Sequence, residues 1–166
     1  MKISQKSQNS LELLKSLYER DFPLWVEKNL QLLKEKRYEE VDWEHLLEEI
    51  EDMGLRHLES CISHLAVILE HLYKWDHYRE LTQSGSDLGG KGWIKSIKNA
   101  RNEIEVLFED YPSLREKLPK EMDKAWRRAR VRLVKSLSLM GKEMELKDFP
   151  EKCPYSYEEA MTREIK

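Results

Sequence analysis

The chain has 166 residues, 37% of them charged and 40% hydrophobic, with 6 Gly, 5 Pro and a formal net charge of −3. That length holds one domain with a real core and is too short for two comfortable ones, and the composition suits helices with narrow apolar stripes rather than disorder. The overall charge favours neither nucleic acid nor membrane, and the longest aliphatic run, Leu65 to Leu69, is too short for a membrane span.

In chain order, the polar stretch 1–10 lacks the apolar core of a signal peptide, so a cytoplasmic protein is expected. Ser10 reads as the N-cap of a first helix ending near Arg20, with Leu11, Leu14, Leu17 and Tyr18 inward. Asp21 caps a second helix, with Pro23 tolerated in its first turn and Phe22, Trp25, Val26, Asn29, Leu30 and Leu33 on one side. Asp42 caps a third, with Val41 and Leu46 at the positions of a hydrophobic staple. From Leu47 through Ile50, Gly54, Leu58, Ile62, Leu65 and Leu69 to Leu72 the apolar phase continues unbroken. The spacing therefore predicts one long central helix over about 43–76, with Gly54 in its stripe to admit a close helix crossing.

The glycine-rich stretch 81–92 carries no phosphate-cradling spacing and reads as a connector. A fourth helix is expected from Trp93 to Glu109. A fifth runs from Pro112 or Ser113 to Gly141, with Leu114, Leu118, Met122, Ala125, Ala129, Leu133, Leu137 and Met140 in phase. The tail 149–166 is extended and closes in a short helix with a capping box, Ser156 and Glu159. The expected fold is thus all-α: a single-domain helical bundle around one long central helix, with its core at about 10–140.

Charge is unevenly spread. Residues 39–80 hold 12 acids against 3 Lys or Arg, while 91–135 hold 13 Lys or Arg against 7 acids. A di-iron site would need Glu-x-x-His motifs, which the chain lacks, and the nearest pattern, Asp42-x-x-His45, is explained by capping. His57, His64 and His71 recur every seven residues, roughly 10 Å apart along one helix, too far to share an ion. With Cys61 and Cys153 forming no CxxC pair, no metal and no cofactor is assigned. Cys61 sits in the apolar stripe and reads as a small core residue.

Glu44, Glu48 and Glu51 follow an i, i+4, i+7 row, with Glu51 turned toward Leu58 and Ile62. Arg132 falls within the apolar stripe of the fifth helix, so a structural Glu51–Arg132 pair is expected. Catalytic candidates are limited to Glu48 and Glu51 with His71. Lys124, Arg127, Arg128, Arg130 and Lys135 line the outer face and flanks of the 124–135 helix, where they can neutralise nucleic-acid phosphates or face the acidic third helix.

Taken together, "YERDFPLW" (Tyr18, Asp21, Phe22, Trp25), Asp42, "LLEEIEDMG", "HLYKW" (His71 to Trp75), Trp93, "YPSLR" and "FPEKCPYSYEE" resemble the bacterial domain-of-unknown-function 29 family, in order and spacing, across about residues 16–161. The resemblance implies an all-α bacterial protein of one domain, often cyanobacterial, with no established activity. It directs attention to Asp21, Trp25, Glu48, Glu49, Glu51, Gly54, His71, Lys74, Trp75 and Trp93. The expected function is a non-catalytic interaction or adaptor module with a protein partner or as a homodimer. A nucleic-acid-associated protein using 124–135 is the alternative, and an enzyme comes third.

Overall fold

The computed structural model describes residues 4–82 and 88–166. All regular elements among these residues are helical: α1 (Gln5–Arg20), α2 (Phe22–Lys34), α3 (Trp43–His77), α4 (Lys91–Asp110), α5 (Leu114–Lys117), α6 (Met122–Leu139) and α7 (Tyr157–Thr162), with short 3-10 turns between. Contacts divide the chain into two compact units, Met1–Leu55 and Arg56–Lys166, and α3 begins in the first and continues in the second. The centre of the expected connector 81–92, residues 83–87, lies outside the described residues.

In the first unit α1 starts earlier than the sequence suggests. Ser4, not Ser10, is the cap: its Oγ accepts from Ser7 N–H at 3.3 Å, while Ser10 donates back to the Lys6 carbonyl from within the helix. Asp21 serves both helices of the hairpin. Its backbone N–H closes α1 on the Leu17 carbonyl at 2.7 Å, and its carboxylate accepts from Leu24 N–H at 3.2 Å to open α2.

The second unit is built on three long segments. Along α3 and α4 the pairs His57 with Tyr111, ring centroids 4.0 Å apart, and Lys74 over Trp93 at 5.1 Å run in opposite sequence order, so the two helices are antiparallel. Along α3 and α6 the partners rise together: Lys124 with Glu59, Arg128 with Ser63, Arg132 with Glu70. These two are parallel, with α6 offset from α3 by roughly 62–65 residues. Leu58, Ile62, Leu65, Leu69 and Leu72 meet Ile97 and Ile104 of α4 and Ala125, Ala129, Leu133 and Leu137 of α6 in one core. The alanines every fourth residue let α6 lie close to its neighbours.

The expected fifth helix is interrupted. α5 gives way to a 3-10 turn, Leu118–Glu121, before α6 begins at Met122. Pro119 in that turn has no N–H to donate, and its ring would clash with the preceding helical turn, so the α-helical ladder cannot pass through it. At the start of α4, Gly90 has φ +78° and its missing Cβ would come within 2.6 Å of the Trp75 ring; only glycine meets both conditions.

The tail is held by side chains. Trp126 Nε1 donates to the Pro150 carbonyl at 2.8 Å, and Phe149 and Ala160 are buried. The expected Ser156–Glu159 capping box opens α7. Arg101 donates to the carbonyls of Ala160, in the last turn of α7, and of Arg163, just past it, at 2.9 and 3.0 Å, while Asp76 accepts from both Arg163 terminal nitrogens and from Tyr155.

The long apolar stripe of α3 is only partly used. From Leu58 onward it is core, but in the first unit Leu47 and Ile50 are more than half exposed, and a Cβ on Gly54 would meet nothing within 4 Å. Among the described residues, therefore, nothing makes the close crossing expected at Gly54. Gly54→Ala is expected to raise stability by about 1 kcal/mol in urea unfolding, because helix propensity improves with no neighbour to displace; an unchanged or lowered midpoint would show that this backbone is crowded.

Candidate functional site

The most enclosed polar constellation of the first unit centres on Asp42. Its side chain is fully buried at the N-terminus of α3. Oδ2 accepts from Trp25 Nε1 at 2.9 Å and from His45 Nδ1 at 2.6 Å, while Oδ1 caps His45 N–H at 3.4 Å. Asn29 completes the ring: its Oδ1 accepts from Asp42 N–H and its Nδ2 donates to the Trp25 carbonyl. Since a carboxylate only accepts, His45 carries its proton on Nδ1, and that bond raises the imidazole above its ordinary value of 6.5 against the opposing effect of burial. The Tyr18 ring stacks on His45 with centroids 4.0 Å apart, and its hydroxyl donates to Glu49 at 2.6 Å, which pushes the phenol up to about 12.

The sequence reading credited Asp42 with capping alone. The i, i+3 spacing to His45 was the available signal for its second role, because both residues then share one turn of the helix. Of the positions to which the family resemblance points, Trp25 is 1% exposed and belongs to this network, and Glu49 joins it through Tyr18.

In the second unit a charged cluster is buried where α3 faces α6. Glu70 and Lys74 are 3% and 4% exposed, one helical turn apart, with Lys74 Nζ 3.4 Å from Glu70 Oε1. Arg132 Nε donates to Glu70 Oε2 at 2.7 Å. Burial alone would push the Glu70 carboxyl up, but His71, Lys74 and Arg132 together outweigh it and hold the group below the usual carboxylate range. His71 donates from Nδ1 to the Val67 carbonyl at 2.7 Å; burial, with Lys74 nearby, lowers its pKa.

Arg132 thus lies by a carboxylate of α3, but that carboxylate is Glu70 rather than Glu51. Glu51 and Glu48 are exposed in the first unit. Helical phase gave the face on which Arg132 sits; the partner depends on the axial offset of α6 along α3, which no periodicity contains. Glu70 was missed although it stands in an otherwise apolar window four residues before Lys74.

The basic helix is largely engaged within the protein. Glu59 pairs with both Lys124 and Arg128, Arg128 also reaches Ser63, and Arg130 donates to the Leu146 carbonyl at 2.7 Å. Arg127 and Lys135 are exposed and make no hydrogen bond or ion pair among the described residues. His57 stacks on Tyr111, and Cys61 is buried, with its thiol pushed up to about 11 by burial. Among the described residues no group of three or more His, Cys, Asp or Glu could hold a metal ion, and no helix is long and apolar enough to cross a membrane.

One surface stands apart from these satisfied networks. The first turns of α3 expose Trp43 at 43%, Leu47 at 55%, Ile50 at 54% and Met53 at 62%. Trp43, Leu47, Ile50 and Gly54 follow the i, i+4, i+7, i+11 positions of a single helical face. Beside them stand the exposed acids Glu44, Glu48, Glu51 and Asp52.

The chain matches no curated protein and no solved structure. A family model described as "Domain of unknown function DUF29" matches residues 17–165, nearly the whole chain, and spans the Tyr18–Trp25–Asp42 network, the Glu70–Lys74 cluster and the tail. The chain belongs to the DUF29 family.

Proposed function

We propose that this protein is an interaction module whose first unit receives an amphipathic helix of another protein along Trp43, Leu47 and Ile50. The observation that carries this reading is the exposed apolar row on the ordered start of α3. Contiguous exposed apolar side chains rimmed by charge are a common mark of a binding surface. Helix-in-groove recognition uses the same i, i+3 or i+4, i+7 anchor spacing. Gly54, with open space around its missing Cβ, allows a partner backbone to come close at the end of the row.

The flanking charge selects the partner. Of the flanking acids Glu44 bonds Lys15 at 3.1 Å, while Glu48, Glu51 and Asp52 make no ion pair among the described residues. A second copy would set acid against acid, so a heterologous helix with Lys or Arg beside its apolar row is the better complement. The free thiols Cys61 and Cys153 suit a reducing, cytoplasmic setting for such an encounter.

Fluorescence anisotropy with a labelled amphipathic Leu/Lys helical peptide tests this. The peptide should bind saturably, a Leu/Glu peptide of the same pattern should not bind at this row, and Leu47→Asp with Ile50→Asp should weaken the Leu/Lys complex roughly tenfold or more. Attraction by charge alone predicts the reverse, since the two new acids would tighten a cationic peptide; that result would overturn the proposal. Light scattering on the free protein adds a second check, because a dimer dissolved by the same substitutions would assign the row to self-association instead.

A further inference from the structure

We infer that the second unit carries a separate docking groove, between α3 and α6, for an acidic amphipathic helix. The groove has a volume of about 430 Å³ and is lined by Ser63 and Ala66 of α3 and by Arg127, Arg128, Val131 and Arg132 of α6. Because α3 and α6 run parallel here, the depression follows their common direction. Small residues on α3 keep its floor low, and Val131, 43% exposed, supplies an aliphatic wall.

The charge around it is incompletely matched from within. Glu59 is shared by Lys124 and Arg128, and Glu70 takes only the Nε of Arg132. The two terminal nitrogens of Arg132 donate to nothing among the described residues, its side chain is 49% exposed, and Arg127 has no partner among them. Guanidinium groups one helical turn apart on either side of an aliphatic strip match carboxylates spaced i, i+4 around a leucine-like anchor. Among the described residues the lining contains no aromatic ring on which a base could stack, which favours a peptide over single-stranded nucleic acid. This surface has the opposite sign to the row on the first unit, so the two would not compete for one partner.

A labelled amphipathic Leu/Glu helical peptide, followed by anisotropy on the full chain, tests the inference. Saturable binding is expected, weakened roughly tenfold by Val131→Asp and by Arg127→Glu, two exposed positions whose replacement leaves the core intact. Neither variant should change binding of the Leu/Lys peptide, and Leu47→Asp should not change binding of the Leu/Glu peptide, so each surface fails or stands by itself. The groove is overturned if the Leu/Glu peptide does not bind, if both variants bind it as the parent does, or if oligothymidine displaces it at equal concentration.

Discussion

Asp42→Ala is expected to destabilise the first unit by about 3–5 kcal/mol, the cost typical of removing one partner from a buried charged pair. The substitution leaves Trp25 Nε1 and His45 Nδ1 facing a small apolar side chain and removes the helix cap at His45 N–H. Asp42→Asn should recover the cap but little else, since an amide has one acceptor oxygen where the carboxylate had two. Urea unfolding followed by hydrogen exchange of α1, α2 and the start of α3 measures this directly, and a loss below about 1 kcal/mol would show that water replaces the carboxylate readily.

The same pair sets a pH dependence. His45 has a folded-state pKa raised above its unfolded value, so the folded protein holds that proton more tightly. The resulting stability is fully present below the unfolded value near 6.5 and is lost as pH rises through the raised folded value. In Asp42→Asn this slope should flatten.

Glu70→Ala is expected to cost a similar amount, about 3–5 kcal/mol, in the second unit. It removes the carboxylate beside Lys74, a cation only 4% exposed, and also the acceptor of Arg132 Nε. Arg132→Ala should cost far less, about 1 kcal/mol, because the Arg132 side chain is half exposed and Glu70 keeps Lys74 beside it. Equal losses for the two substitutions would show instead that Arg132 is the indispensable partner. The Glu70 pKa is lowered in the folded state, so its contribution is present above the ordinary carboxylate value and disappears as pH falls through the folded one. Acid titration of the parent and of Glu70→Gln separates this contribution from that of the other carboxylates.

How much of this was legible in the sequence depended on the kind of information required. The extent of α3, expected at 43–76 and found at Trp43–His77, followed from a cap and an unbroken phase, both local. Pro119 was equally visible, yet apolar positions in phase on both sides concealed the break it imposes. The exposure of Leu47 and Ile50 was not legible, because periodicity says which residues share a face and not whether anything covers it. Pairing was the least accessible. Arg132 finds Glu70 because of the offset between two helices joined through α4, α5 and a 3-10 turn, and that offset is a property of packed connections.

The tail illustrates a dependence in the other direction. α7 has six residues, about half the length at which an isolated helix begins to hold in water, so its order is borrowed from its surroundings. Arg101 of α4 and Asp76 of α3 are its creditors: one binds the carbonyls at its end, the other anchors Arg163 and Tyr155. Protease resistance around 155–163 therefore serves as a gauge of α3 and α4, reporting loosening of those helices before their own amides become open to cleavage.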